Sequence, residues 1–170
     1  VGLKAKQQEQ RLLDKQRNIL AVAGLLQPRM PAEEVQREFA LRIEPRLLDL
    51  QSGAFIQQDP ATFDRAQALR SDQMSIALTP AQDIAGIRRR ANVVEIYLVR
   101  GESGQINKIV LPVYGSGLWS MMYAFVAIDT DGKTVRGITY YDQGETPGLG
   151  GEVENPIWRN QWIGKRLFDE

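Results

Sequence analysis

A chain of 170 residues can bury a core of its own, and 43% hydrophobic with 25% charged residues is the composition of an ordinary globular domain. Lysine plus arginine number 21 and aspartate plus glutamate 21, so the net charge is zero and no long-range field draws the molecule to nucleic acid or anionic lipid. With no cysteine and no histidine, disulfides, iron–sulfur ligation, the usual zinc sites and every Ser/His or Cys/His catalytic arrangement are excluded, leaving carboxylates, Lys, Tyr and Thr as acid/base groups.

Residues 3–23 are almost all strong helix formers, with apolar positions at Leu12, Leu13, Ile19, Leu20 and Val22 and a stop at Gly24. The first two turns are polar all round, which predicts a solvated N-terminal helix or the continuation of one upstream. Pro31 opens a second predicted helix over 31–43, with Glu33 and Glu34 in the first turn and Pro45 interrupting it. Residues 51–59 read as a connector, 60–70 as a third helix, and 79–87 as a short fourth with Thr79 as cap and Pro80 at its first position. No apolar run reaches the roughly 20 residues that a bilayer crossing needs, and no signal peptide is visible. The chain opens at Val1 without a methionine, so it is expected to be a piece of something longer.

From Ala91 the period changes. Residues 93–100 and 105–114 are strand-like runs around the Gly-containing GESG, and 120–129 and 133–142 form a second pair around Asp131 and Gly132. The predicted fold class is α+β: an antiparallel sheet of two hairpins packed with helices, preceded by a helical N-terminal arm. Residues 1–90 supply the arm and helices, residues 91–170 the α+β region, and the two are expected to make one compact domain. Asn155 and Pro156 form a cap and first-turn pair, predicting a closing helix that buries Ile157, Trp158, Trp162 and Ile163.

Two glycine-rich stretches stand out. In ETPGLGG, residues 145–151, Pro147 and Gly148 suit the middle of a type II turn, and Gly150 and Gly151 allow another molecule to approach bare main chain, with Leu149 presented between glycines. It has neither the G-K-[ST] ending of a P-loop nor the dinucleotide fingerprint. In YGSGLWSMM, residues 114–122, a planar ligand could lie against Leu118 and Trp119 while Ser120 and the main chain bond its edge. The plain alternatives are a tight turn covering the core edge and a core aromatic at a bulged strand start. Asp142, Glu145, Glu152 and Glu154 could gather around a cation, but acidic loops are mostly solvated and no metal is expected. The three arginines at 88–90 are a short run offset by nearby acids, so a solvated face or a partner contact is expected ahead of nucleic acid.

The stretches 114–129 and 131–165 together closely resemble the C subunit of the Na⁺-translocating NADH:quinone oxidoreductase, and more distantly the G subunit of the related Rnf electron-transport complex. The C-terminal half carries the likeness, through E-T-P-G-L-G joined to G-x-G-L-W-S at this separation. The resemblance implies an FMN-binding domain that passes electrons one at a time within a membrane complex, with the other polypeptides of that complex as partners. It further implies a tether by an N-terminal transmembrane helix on the periplasmic side of the bacterial inner membrane. By matching position, Leu118, Trp119 and Ser120 would lie beside the flavin, and Glu145, Thr146, Gly148, Leu149 and Gly150 would close over its ring. No residue is assigned a catalytic acid/base role.

The family attaches FMN through its phosphate to a threonine in a later S-G-A-T motif, which does not occur in this chain. The sequence SGAF at 52–55 has Phe55 where the threonine is required, and Thr146 belongs to the ring-binding motif. The chain is therefore expected to lack the attachment segment and the membrane helix. The rival readings are a flavin-free assembly or docking module of a membrane complex, and the counterpart from the Rnf complex.

Overall fold

The computed structural model describes residues 2–169. A twenty-residue helix, α1 (Leu3–Val22), is exposed along its polar first half and buries Ile19, Leu20 and Val22 at its end. Gly24 at φ +78° ends it, where a left-handed residue costs glycine least. The Lys108 ammonium donates to the Ala23 carbonyl at 3.1 Å, satisfying one of the orphan acceptors of the last turn.

The strands are β1 (Ile43–Asp49), β2 (Phe55–Ile56), β3 (Ser75–Ala77), β4 (Arg89–Ala91), β5 (Val93–Arg100), β6 (Ile106–Ser116), β7 (Met121–Asp129) and β8 (Val135–Asp142). Strands β3 and β4 pair with each other, and the rest form a six-stranded antiparallel sheet in the order β2-β1-β5-β6-β7-β8. The two predicted hairpins are one continuous meander, because β6 also pairs with β7 from Lys108 opposite Asp129 to Ser116 opposite Met121. The β7–β8 turn has Gly132 at φ +77°, and the Asp131 carboxylate accepts from the Lys133 and Thr134 amides. Those bonds, led by the one from the Thr134 hydroxyl, lower the Asp131 pKa to about 2.

Alternation along the strands gives the sheet two apolar faces. One carries Ile43, Tyr97, Val99, Val110, Phe125 and Ala127, and α1 and α2 (Ala32–Arg42) pack on it through Ile19, Leu20, Val22 and Val35. The other gathers Val126, Ile128 and Val135 with Ile109, Leu111 and Ile138. Gly137 sits under α1: a Cβ there would stand 2.8 Å from the Val22 carbonyl oxygen, so the close approach of helix to strand depends on its absence.

Several expectations for the first 90 residues are corrected. The second helix ends at Arg42 and the chain passes directly into β1, with Pro45 inside the strand. Proline is tolerated there because β2 pairs only with Leu47 and Leu48, leaving that side of Pro45 without a ladder to supply. The connector at 51–59 contains β2. The helix predicted at 60–70 is split by a second cap: Asp59 accepts from the Ala61 amide over a 3-10 turn at Pro60–Thr62, and Asp64 from Gln67 over α3 (Arg65–Leu69).

Residues 79–87 are not a helix. The Asp83 carboxylate accepts from the amides of Ile87 and Arg88, and Gly86 at φ +66° turns the chain between β3 and β4.

The closing helix α4 (Pro156–Asn160) is capped by the Asn155 side chain as predicted, but it is short and lies at the β8 edge. Consequently Ile157, Trp162 and Ile163 are exposed, and only Trp158 is half-buried, 6.0 Å from the Tyr140 ring. The chain then turns at Gly164 and bonds back to Val135, blunting the edge of the sheet. Among the described residues no helix is long and apolar enough to cross a membrane.

Candidate functional site

Strands β6 and β7 are joined by residues 117–120, and β8 runs out into residues 143–155, so the meander delivers both glycine-rich stretches to one end of the sheet. Two side chains stitch them together. The Ser120 hydroxyl oxygen accepts from the Gly144 amide at 2.7 Å, and Glu145 Oε1 accepts from the amides of Trp119 at 3.2 Å and Ser120 at 3.3 Å. Glu145 is 7% exposed.

The glycines explain how a carboxylate fits there. A Cβ on Gly117 would overlap Glu145 Oε1 and stand 2.7 Å from its Cδ, while one on Gly150 would be 2.9 Å from Glu145 Cβ. The carboxylate thus lies in a slot with one glycine from each loop as a wall. Gln143 supports it from behind, accepting from the Glu145 amide at 2.8 Å and donating to Glu154 at 2.8 Å.

The ETPGLG segment turns as its sequence predicts. The Leu149 amide donates to the Thr146 carbonyl at 3.1 Å across Pro147 and Gly148, and Gly148 has φ +79°, the value that the third position of a type II turn demands. The Gly151 amide also closes on the Thr146 carbonyl, at 3.0 Å. The amides of Leu118, Thr146, Gly148 and Gly150 have no hydrogen-bond partner among the described residues. Beside these free donors stand three large apolar side chains in solvent: Leu118 at 87%, Trp119 at 77% and Leu149 at 74% exposure. Neither plain alternative describes this: Trp119 is not a core aromatic, and Leu149 covers no core edge.

All eight predicted site residues therefore come together at one end of the sheet, but with two orientations. Leu118, Trp119, Thr146, Gly148 and Leu149 face solvent, whereas Ser120 and Glu145 are engaged in holding the loops to each other. Sequence reasoning does not single out Gln143, Gly144 or the partnership of Gly117 with Glu145. Nothing local to Gly117 reveals that its neighbour in space lies 28 positions downstream. The acids around the loop do not converge: Glu154 is taken by Gln143 and Glu152 by Asn155. The SGAF sequence sits in the β1–β2 hairpin, three strands away from β7.

A cleft of about 1350 Å³ lies elsewhere, between α1, the 61–66 segment and the sheet, lined by Phe63, Arg65, Tyr97, Tyr114, Phe125 and Tyr141. Three of its charged side chains are engaged: Lys15 pairs with Glu95 at 3.6 Å, and the Arg65 guanidinium lies 4.8 Å from the Tyr114 ring centre. Burial raises the Tyr97 and Tyr141 phenols above their ordinary value, so both are neutral at physiological pH. The most exposed apolar groups beside free backbone donors are those of the loops, since Leu50, Val113 and Tyr141 in the cleft are each less than half exposed.

The family model described as the FMN-binding domain matches residues 117–168, which begin at Gly117 and take in both loops and α4. The crystal structure of Shewanella oneidensis NqrC superposes with a TM-score of 0.82 at 36% identity, over 97% of this chain and 73% of that one. The chain belongs to the NqrC family. Among its curated members, the C subunit of the Na(+)-translocating NADH-quinone reductase of Yersinia pestis is 89% identical over all 170 residues, and that of Vibrio alginolyticus 54% identical. The chain spans 64% of the length of the first and 65% of the second, just under two thirds. A second NqrC-family structure, from Parabacteroides distasonis, has a TM-score of 0.73 at 24% identity, covers 99% of this chain and 72% of that one, and shows the shared fold.

Proposed function

We propose that this chain is the flavin-seating part of an electron-relay subunit of a Na⁺-translocating NADH:quinone reductase, with FMN as its cofactor. The observation that supports this best is the pairing of free backbone amides with three solvent-facing apolar side chains, inside the segment that matches the FMN-binding domain. When bound, FMN supplies reversible electron transfer through its isoalloxazine ring.

The chain's own residues bind and shield. Leu118 and Trp119 offer one apolar wall and Leu149 another, suited to the faces of a flat ring and to keeping water from it. The amides of Gly148 and Gly150 and the Thr146 hydroxyl offer donors to a polar ring edge without a bulky side chain between. The role is that of a relay, in which the ring carries the electrons and the side chains bind and shield it. The phosphate attachment belongs to an S-G-A-T threonine that this chain does not contain. Within the complex the domain works beside its partner polypeptides, tethered by an upstream helix with its soluble part on the periplasmic side of the inner membrane.

The test is the flavin content of the protein extended through the S-G-A-T motif. Expressed in a host able to attach flavin, it is expected to carry FMN near stoichiometry, with absorbance that stays with the polypeptide on denaturation. A colourless protein that still binds the partner polypeptides would favour the docking-module reading instead.

A further inference from the structure

We infer that Glu145 is a positioning residue whose carboxylate sets the gap between the Leu118–Trp119 wall and the Gly148–Leu149 turn, and so shapes the seat for the ring. This rests on the flavin reading and assigns Glu145 a role different from closing over the ring.

The geometry carries it. A carboxylate is costly to bury unless its acceptor capacity is used, and Glu145, 7% exposed, gives Oε1 to two consecutive amides of the opposite loop. Among the described residues no lysine or arginine forms an ion pair with it, so the backbone amides are its partners. Its placement leaves no room for a side chain at Gly117 or Gly150. Gly150, which sequence reasoning reads as an opening for a ligand, is thus filled from within by the protein itself, as is Gly117 across from it.

The two amides that Glu145 takes, those of Trp119 and Ser120, are also withdrawn from any ligand. The free donors are left on the outer rim, at Leu118, Thr146, Gly148 and Gly150. Reach matters more than charge in this arrangement. A glutamine amide oxygen at the same distance can accept from the same two amides, whereas aspartate is one methylene short and alanine offers no acceptor.

The experiment uses the protein extended through the S-G-A-T motif, loaded with FMN, as wild type and as Glu145→Gln, Glu145→Asp, Glu145→Ala and Gly117→Ala. The readouts are quenching of flavin fluorescence by iodide and the visible circular dichroism of the flavin. Loss of the stitch is expected to raise the quenching constant about threefold or more in the Ala and Asp variants and in Gly117→Ala, with Gln close to wild type. Far-UV circular dichroism identifies folded variants, and should Glu145→Ala fail to fold, the contrast between Asp and Gln decides. Flavin signals equal to wild type in Asp and Ala would overturn the inference, as would a Gln variant as perturbed as Ala. Collapse of both Asp and Ala alongside a wild-type-like Gly117→Ala would also overturn it, making Glu145 a determinant of folding alone. A wild-type protein without flavin would instead remove the reading on which it rests.

Discussion

The two ends of strand β8 use glycine for opposite purposes. Toward α1, Gly137 is bare so that a helix can lie on the sheet, with the Val22 carbonyl where a Cβ would go; the neighbours are Ile19, Leu20 and Ala127, all buried. At the far end, Gly117 and Gly150 are bare so that a carboxylate can enter, and the large apolar groups beside them point into water. Hydrophobic burial holds the first region together, and hydrogen bonds accepted by a buried carboxylate hold the second. Changes in the first region should therefore cost stability, whereas changes to the exposed groups of the second should alter the ligand's environment at little cost in stability.

A deletion in the helix-covered face puts that contrast under the greatest strain. Leu20→Ala, at a fully buried position, is expected to destabilise by about 2–5 kcal/mol, read as a lower urea midpoint at unchanged slope. Gly137→Val should follow at about 1–3 kcal/mol, because its side chain must displace the end of α1. A midpoint equal to wild type for either would deny that α1 is seated on β8.

In the loop region the expected pattern reverses. Trp119→Ala and Leu149→Glu, at 77% and 74% exposure, should leave stability within about 0.5 kcal/mol. In the flavin-loaded longer protein they should nevertheless alter the cofactor. A carboxylate at position 149 beside the ring opposes added electrons by about 1 kcal/mol, which lowers the midpoint potential in a redox titration.

The smallest effect concerns the β7–β8 turn. Its Asp131 is held at a pKa of about 2, below the ordinary aspartate value of 3.8, by bonds that only the charged form accepts fully. A depressed folded-state pKa contributes stability that is present above the ordinary value and lost as pH falls through the folded one. The stability difference between wild type and Asp131→Ala should therefore be constant near neutrality and narrow between about pH 4 and pH 2. Urea titrations across that window measure it.

Much of this architecture is legible because local signals agree. The four meander strands lie within two residues of their sequence-read bounds, since alternation and the Asp131–Gly132 turn specify both face and register. The C-terminal α4 and its Asn155 cap are likewise visible, although not that the helix hugs a sheet edge with Ile157 in solvent. Strand β1 is hidden because Pro45 reads as a helix breaker, and only its pairing with β5 makes a strand there worthwhile. Residues 79–87 imitate a helix through Thr79 and Pro80, while the Asp83 bonds that override this start are contacts across the loop.

That the two glycine-rich stretches stand out is legible in their motifs, but how their side chains divide between solvent and the opposite loop is not. Glu145 and Ser120 look like ligand contacts in one dimension and prove to be bound to the opposite loop, because the pairing of β7 with β8 brings 117–120 against 144–150. That placement is a property of the sheet, not of either loop.

Whether these loops seat the flavin is decided most directly by the position of the isoalloxazine ring in a crystal structure of the flavin-loaded longer protein. The expected ring is in van der Waals contact with Trp119 and Leu149, its polar edge on the 146–150 backbone, with Glu145 still bonded to the Trp119 and Ser120 amides. A ring seated in the cleft beside Tyr97 and Tyr141, with the two loops bare, would contradict it.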